Sequence, residues 1–246
     1  MIQLEKICKQ YTNHHHTVHA VDNVSFSVAP NERVGIAGGS GSGKSTLLRL
    51  IAMLEKPTSG SLRLFGEDVT SIRNHIEIYR SMQMMFQNPL AVIPPRMNLE
   101  SFLLEPYINY GLMDIAAAKD DIRKWIQRVD LPEHTVYKYP HEVSGGQLQR
   151  VVLARIMLMN PKLVLFDEPT SALDAVNQKL VLDLLQKLYT EQPFGYVFVS
   201  HDIGLLQAVT DRIIVMKDGQ IVETIESKRL KEAVHPYTQA LVEASE

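Results

Sequence analysis

The sequence predicts an α/β protein built around a doubly wound, mostly parallel sheet. Short apolar runs of strand length alternate with longer stretches of helical periodicity along most of the chain. A glycine-rich loop at 38–46 lies directly between one such strand and a helix. A length of 246 residues suits one large α/β domain, or a core that carries an inserted subdomain.

The pattern of residues in the first half of the chain predicts strands of an edge layer and a buried strand of the core. Alternating residues in IQLEKI and VSFSV predict two strands of an antiparallel edge layer, with Tyr11 and a group of histidines in the loop between them. ERVGIAG predicts a buried strand, and KSTLLRLIAML an amphipathic helix after the glycine loop. Further strands are predicted at SLRLFG and at MQMMFQ, the latter ending at Gln87.

The middle of the chain changes to helical periodicity, which predicts a helical subdomain over 90–160. After Pro161 the alternation of strands and helices resumes, and a hairpin is predicted around Asp218-Gly219. We therefore expect a single domain over 1–246, with a nucleotide-binding core formed by 1–89 and 161–246.

Composition excludes several classes of function. The chain has 25 basic and 28 acidic residues without a long run of one sign, so we expect no nucleic-acid partner. Its only cysteine, Cys8, allows no internal disulfide and favours a reducing compartment. No apolar stretch approaches the roughly 20 residues that span a bilayer. If the protein works at a membrane, other subunits are expected to supply the spans.

The glycine-rich loop GGSGSGKST satisfies the pattern G-x-x-x-x-G-K-[ST]. In such a loop the glycines let the backbone wrap phosphates, the lysine reaches the β and γ oxygens, and the serine hydroxyl binds Mg²⁺. The position between a strand and a helix argues against a flexible linker. We therefore predict a P-loop NTPase (RecA-like) core with an antiparallel β edge layer and an inserted helical subdomain. The candidate nucleotide-binding residues are Gly38, Gly39, Ser40, Gly41, Ser42, Gly43, Lys44, Ser45 and Thr46.

The run LVLFDE places two carboxylates at the end of an apolar strand, the edge where open α/β sheets bind ligands. Asp167 suits coordination of Mg²⁺ through water, and Glu168 is placed to polarise the water that attacks the γ-phosphate. Both carboxylates together predict hydrolysis of ATP as well as binding.

A second glycine turn, EVSGGQLQR at 142–150, opens another apolar helix. Free backbone amides and the positive end of the helix dipole attract an anion at such a position. One chain therefore carries two loops suited to phosphate.

The chain resembles the ATP-binding subunits of ABC transporters over essentially its whole length. The resemblance rests on an ordered set of motifs: Tyr11, GGSGSGKST, Gln87, VSGGQ, LVLFDEPTSALD and the histidine of VSHD. It implies that Tyr11 stacks on adenine, that Gln87 contacts Mg²⁺ or the attacking water, and that His201 contacts the γ-phosphate. Ser45, Gln87 and Asp167 are then the expected Mg²⁺ ligands.

The resemblance also implies a composite site. In this family two ATP-binding subunits pack head to tail, and the SGGQ turn of one closes over the nucleotide on the P-loop of the other. Nucleotide contacts are thus expected from Ser144, Gly145, Gly146 and Gln147, with Asp174 at the same interface. The expected partners are a second, different ATP-binding chain, two transmembrane permease subunits and an extracytoplasmic solute-binding protein. The expected location is peripheral, on the cytoplasmic face of the bacterial cell membrane.

Finer likenesses indicate the branch of peptide and nickel importers. FQNPLAVIPPRM resembles the branch pattern FQDPxxSLNPRM, and both YPHEVSGGQLQR and HPYTQALVEA resemble further patterns of that branch. The short chain resembles the second ATPase of nickel and metal–metallophore importers, so the expected cargo is nickel, a metal–metallophore complex or short peptides. The membrane-facing loop departs from the branch at LAVIPP, where the pattern has YxSLNP.

The sequence opposes two other functions. A soluble, non-transport ABC ATPase of repair or translation would carry long coiled coils or tandem cassettes, which are not seen in this sequence. A regulatory subunit with an inactive site is opposed by Glu168, His201 and the complete SGGQ turn.

The cluster His14, His15, His16 and His19 could bind Ni²⁺ or Zn²⁺. A polar surface loop is the favoured interpretation of that cluster.

Overall fold

The computed structural model describes residues 1–13, 16–69 and 75–245. The strands are β1 (Ile2–Asn13), β2 (His16–Val28), β3 (Arg33–Ala37), β4 (Ser59–Leu64), β5 (Glu67–Asp68), β6 (Met82–Met85), β7 (Leu163–Asp167), β8 (Gly195–Ser200), β9 (Arg212–Lys217) and β10 (Gln220–Glu226). The α-helices are α1 (Lys44–Ile51), α2 (Ile76–Ser81), α3 (Leu99–Tyr110), α4 (Ile115–Arg128), α5 (Gly145–Met157), α6 (Ala175–Glu191), α7 (Ile203–Val209) and α8 (Pro236–Glu243).

Contacts divide the chain into two compact units. Unit 1 comprises Met1–Met82, Lys162–Glu168 and Phe194–Glu246, and unit 2 comprises Gln83–Pro161 and Pro169–Pro193. The sequence assigned nucleotide binding to a core and the SGGQ turn to a helical subdomain at 90–160. That assignment of roles stays a prediction.

Unit 1 contains a four-stranded antiparallel sheet in the order β2-β1-β4-β5. Strands β1 and β2 pair from Ile2 opposite Val28 to Asn13 opposite His16. The predicted edge layer is therefore confirmed, but its hairpin is longer than predicted. Tyr11 lies in β1 and His19 in β2, because cross-strand pairing continues through the polar residues. His14 and His15 lie outside the described residues.

The second sheet of unit 1 has β3 at its centre. β3 pairs in parallel with β8 on one side and with β9 on the other, and β7 pairs in parallel with β8. β10 pairs with β9 as the antiparallel edge, which confirms the predicted hairpin. Apolar residues are buried on both faces, as a parallel sheet requires. The α/β prediction is confirmed, and the carboxyl ends of β3, β7, β8 and β9 share one edge.

Unit 2 is mostly helical, and side-chain caps explain where its helices begin. The side chains of Asn98, Asp114, Ser144 and Asp174 each accept a hydrogen bond from a backbone amide in the first turn of α3, α4, α5 and α6. α3 ends at Tyr110 and is capped by Gly111, whose φ of 59° is in the left-handed region. The helices predicted at these positions are confirmed.

Some elements differ from the sequence prediction. β6 ends at Met85, so Gln87 lies two residues beyond the strand that was expected to end on it. Two short helices, α2 and α8, were not predicted, because six and eight residues make too few turns to show a clear helical periodicity. Across the three described ranges, no helix combines the length and the apolar character needed to cross a membrane.

Candidate functional site

The loop 38–46 follows β3, and its last residues form the first turn of α1. Two of its glycines are required by close packing as well as by backbone conformation. A Cβ on Gly38 would lie 2.3 Å from the Met216 carbonyl oxygen, and one on Gly43 would lie 2.1 Å from the carbonyl oxygen of Ala20. Both residues have positive φ values, of 152° and 98°. The loop is thus a tight backbone cradle at the carboxyl edge of the sheet.

Lys44 is buried in this cradle. Its Nζ donates hydrogen bonds to the carbonyl oxygens of Gly38, at 2.8 Å, and Gly39, at 2.9 Å. A third contact, of 3.4 Å, joins it to Ser42 Oγ. Burial lowers the pKa of the Lys44 ammonium, and the nearby carboxylates of Glu168 and Asp167 oppose that shift. The lysine thus places a positive charge where the loop would hold phosphates.

Ser45 and Asp167 meet across the edge of the sheet. Ser45 Oγ donates a hydrogen bond of 2.9 Å to Asp167 Oδ1. Asp167 is 7% exposed. Burial raises the pKa of its carboxyl, and the hydrogen bond from Ser45 opposes that shift. The pair presents two oxygen ligands of the kind that Mg²⁺ prefers.

Glu168 and His201 lie beside this pair, at the ends of β7 and β8. His201 Nδ1 is 3.5 Å from Glu168 Oε2, and Glu168 N–H donates to the Val199 carbonyl oxygen at 3.1 Å. Glu168 has a φ of 47°, in the left-handed region. Parallel pairing of β7 with β8 therefore brings together two residues that lie far apart in the sequence.

Tyr11 lies on β1 and is held by charged neighbours. Its hydroxyl donates to Glu55 Oε2 at 2.5 Å, and Lys9 Nζ lies 5.2 Å from the centre of its ring. Lys9 also pairs with Glu55 at 3.3 Å. Burial and the Glu55 carboxylate raise the pKa of the Tyr11 hydroxyl, while a hydrogen bond with Thr46 opposes them. Tyr11 is 40% exposed, so much of its surface is available for a ligand.

The second glycine turn lies in unit 2. Ser144 Oγ accepts a hydrogen bond from Gln147 N–H at 3.3 Å, and Gln147 Oε1 accepts one from Ser144 N–H at 3.0 Å. This reciprocal pair is a capping box. Gly145 is exposed and Gly146 is buried.

Gly146 and Asp174 are linked through Asn177, at the beginning of α6. A Cβ on Gly146 would lie 2.7 Å from Asn177 Oδ1. Asn177 donates to both carboxylate oxygens of Asp174, from its backbone N–H at 2.9 Å and from Nδ2 at 2.7 Å. These hydrogen bonds lower the pKa of Asp174. Gln87 is also in unit 2, where its Nε2 donates to Ser171 Oγ at 3.3 Å.

The candidate residues therefore fall into two groups. Unit 1 brings Lys44, Ser45, Asp167, Glu168 and His201 together at one sheet edge, and it also contains Tyr11. Unit 2 contains Gln87, the SGGQ turn and Asp174.

Three residues around the site were missed by sequence reasoning. Glu55 and Asn177 belong to no motif, and only the fold reveals their contacts. Tyr237 belongs to the HPYT stretch, which was noted only as a likeness of the branch. Its hydroxyl accepts a hydrogen bond from Gly39 N–H.

Comparisons with known proteins agree with this geometry. The model of the family described as "ABC transporter" matches residues 21–171. The oligopeptide transport ATP-binding protein AppF of Bacillus subtilis (strain 168) is 38% identical over 229 residues, which cover 92% of this chain and 70% of that protein. The di/tripeptide transport ATP-binding protein DppF of Pseudomonas aeruginosa (strain UCBPP-PA14) is 39% identical over 235 residues, covering 94% of this chain and 72% of that protein.

A solved structure is similar over nearly its whole length. It is a dimeric ATP-binding cassette in a post-hydrolysis state, bound to ADP and Pi. It matches with a TM-score of 0.83 and 31% sequence identity, and the match covers 92% of this chain and 99% of that one.

Proposed function

Since this chain belongs to the ABC transporter family as an ATP-hydrolysing subunit, we propose that it powers the import of short peptides through membrane permeases. One observation supports the ATP-hydrolysing part of this function above the others: Lys44, Ser45, Asp167, Glu168 and His201 converge at the carboxyl edge of one parallel sheet. The chain would act peripherally, on the cytoplasmic face of the bacterial cell membrane.

Peptides are favoured over nickel as the cargo. The two relatives described above are named for oligopeptide and for di/tripeptide transport. The expectation of nickel or a metal–metallophore complex rested on the likeness of the short chain to the second ATPase of such importers.

Hydrolysis of ATP requires a correctly positioned water molecule and positively charged or hydrogen-bonding groups that stabilise the negative charge on the phosphates. Glu168 would accept a proton from the attacking water, because its carboxylate lies at the sheet edge beside His201. Lys44 would donate hydrogen bonds to the β and γ oxygens, and His201 would contact the γ-phosphate. Tyr11, 40% exposed, would stack on adenine.

Ser45 and Asp167 fit the Mg²⁺ that accompanies ATP. Their side-chain oxygens lie 2.9 Å apart, and both are hard ligands of the type that Mg²⁺ binds. Bound Mg²⁺ would neutralise charge on the phosphate oxygens. It would also relieve the cost of the buried Asp167 carboxylate. Gln87 is the further proposed ligand.

The SGGQ turn is proposed to serve a second ATP-binding chain. Ser144, Gly145, Gly146 and Gln147 would contact the nucleotide on the partner's P-loop, and Asp174 would lie at the same interface. The expected partner is a different chain, joined by two permease subunits and an extracytoplasmic solute-binding protein.

The catalytic assignment is tested with Glu168→Gln. This change keeps the shape of the side chain but removes the base, so turnover should fall by about 100-fold or more. The affinity for ATP should stay within about twofold of wild type, because Lys44 and the loop are unchanged. Turnover is measured as phosphate release, and affinity with a fluorescent ATP analogue.

The matched control is Glu77→Gln, the same change on the exposed surface of α2. It should leave both quantities unchanged. Wild-type turnover by the Glu168→Gln chain would contradict the assignment of Glu168.

The cargo is tested in cells whose only copy of this subunit is wild type or Glu168→Gln. Uptake of a labelled dipeptide should be lost with the variant, while uptake of radioactive nickel should be equal in the two strains. The opposite result, a loss of nickel uptake with normal dipeptide uptake, would make the peptide proposal wrong.

A further inference from the structure

The C-terminal helix α8 contacts the P-loop directly. The Tyr237 hydroxyl accepts a hydrogen bond of 2.8 Å from Gly39 N–H. Gly39 is the second residue of the loop, and Tyr237 is in the first turn of α8. The contact joins residues 198 positions apart in the sequence, within unit 1.

Tyr237 is itself held in place by its neighbours. The side chain of Glu223, on β10, accepts hydrogen bonds from Val234 N–H at 2.9 Å and from His235 N–H at 3.3 Å. His235 then caps α8, since its Nδ1 accepts a hydrogen bond of 3.2 Å from Tyr237 N–H. Lys217 Nζ lies 5.2 Å from the centre of the Tyr237 ring. These contacts hold both the beginning of α8 and the Tyr237 ring, so the position of the Tyr237 hydroxyl is fixed.

The hydrogen bond acts on a peptide group that also positions Lys44. Gly39 N–H and the Gly38 carbonyl oxygen belong to one planar peptide. Tyr237 binds the N–H edge of this plane, and Lys44 Nζ binds the carbonyl edge at 2.8 Å. With a glycine on each side, the plane would rotate easily if only one edge were held. Rotation would turn the carbonyl oxygen away from Lys44.

We propose that Tyr237 is a positioning residue for ATP binding, which holds the Gly38–Gly39 peptide so that Lys44 is oriented toward the phosphates. The C-terminal helix thereby becomes part of the support of the nucleotide site. This inference rests on the proposed function, because it takes the P-loop to be the ATP site.

The test is Tyr237→Phe, which keeps the ring and its packing but removes the acceptor oxygen. Loss of one partly buried hydrogen bond should weaken ATP binding by about two- to tenfold. KM for ATP should rise by a similar factor, while kcat at saturating ATP should change little. The melting temperature without nucleotide should fall by only about 2–4 °C, so the variant stays folded at the assay temperature. Tyr110→Phe, at the end of α3, is the matched control and should bind ATP like wild type.

A second measurement separates positioning from general support. In a Lys44→Ala background, Tyr237→Phe should cause no further loss of ATP affinity, because the group that it positions is gone. An equal loss in both backgrounds, or an unchanged affinity in the single variant, would overturn the proposal. A wild-type chain that binds no ATP would instead contradict the proposed function itself.

Discussion

Glu168 combines the proposed catalytic role with an unfavourable backbone conformation. Its φ of 47° costs a residue with a Cβ about 1 kcal/mol relative to glycine. The conformation follows from its position, because its N–H donates to Val199 while the chain leaves β7. The strain is therefore located at the residue that we assign to catalysis.

Glu168→Gly should relieve this strain, whereas Glu168→Ala should keep it. Both changes remove the carboxylate, whose side chain is only 20% exposed and lies 3.5 Å from His201, so the comparison of the two variants isolates the backbone. The free energy of unfolding, measured in urea without nucleotide, should be about 1 kcal/mol higher for the glycine variant than for the alanine variant, while ATP hydrolysis is lost in both. A glycine variant that is less stable than the alanine variant would show that the backbone is not strained.

The burial of Asp167 should make the stability of the chain depend on pH. Burial raises the pKa of its carboxyl in the folded chain. The folded chain then binds more protons than the unfolded chain between the two pKa values, so this residue's contribution to stability falls as pH rises through the folded value. Near pH 7 the buried carboxylate thus destabilises the nucleotide-free chain.

Asp167→Asn should remove that cost. Without nucleotide, its melting temperature should exceed that of wild type near pH 7, and the difference should shrink toward about pH 4. In wild type, MgATP should raise the melting temperature more than ATP without Mg²⁺ does. This difference should be smaller in the variant, because a proposed ligand of Mg²⁺ has lost its charge. Thermal denaturation across this pH range measures both effects. A wild-type chain that is the more stable one near pH 7 would contradict the argument.

At the scale of the element, the two adjacent glycines that begin α5 have different roles. The nearest atom to a Cβ on Gly145 would be Leu173 Cδ2, at 4.0 Å, so this position has room. A Cβ on Gly146 would press on Asn177, whose hydrogen bonds to Asp174 begin α6. The beginning of α5 therefore needs glycine at its second residue in order to pack against α6.

These positions form a matched pair of substitutions. Gly145→Ala should stabilise the chain by up to about 1 kcal/mol, because alanine is the better helix former. Gly146→Ala should destabilise it by about 1–3 kcal/mol, since Asn177 must move and the cap of α6 is disturbed. Urea unfolding of both variants measures the difference. Equal effects at the two positions would argue against close packing at Gly146.

At the scale of the whole molecule, one chain carries two loops suited to phosphate. The P-loop belongs to a nearly complete site in unit 1, whereas the SGGQ turn in unit 2 satisfies part of its own hydrogen bonding through the capping box. The composite site that we propose gives the second loop a role toward a partner chain.

Ser144→Arg tests this division of roles. The variant's own affinity for ATP should be unchanged, because its P-loop is intact. In the assembled transporter, turnover should fall by about tenfold or more at the site whose P-loop is the partner's. Asp114→Arg is the matched control: it removes the equivalent cap of α4 in the same unit, and it should leave turnover unchanged. A loss of the variant's own ATP binding would contradict the proposal.

The sequence by itself determined the fold class and most of the strands and helices, and it predicted the P-loop with its two carboxylates. These features depend on local periodicity and on short motifs, which one stretch of chain contains entirely. It did not locate α2, α8 or the length of the β1–β2 hairpin, because pairing with other parts of the chain outweighs weak local signals.

Only the tertiary structure decided which residues support the site. The order of the parallel strands creates the contacts of Ser45 with Asp167 and of Glu168 with His201. The fold around β1 creates the contact of Glu55 with Tyr11. The hydrogen bond from Gly39 to Tyr237 joins residues near opposite ends of the chain. Such contacts leave no periodic pattern in the sequence, since each depends on distances that exist only after the chain has folded.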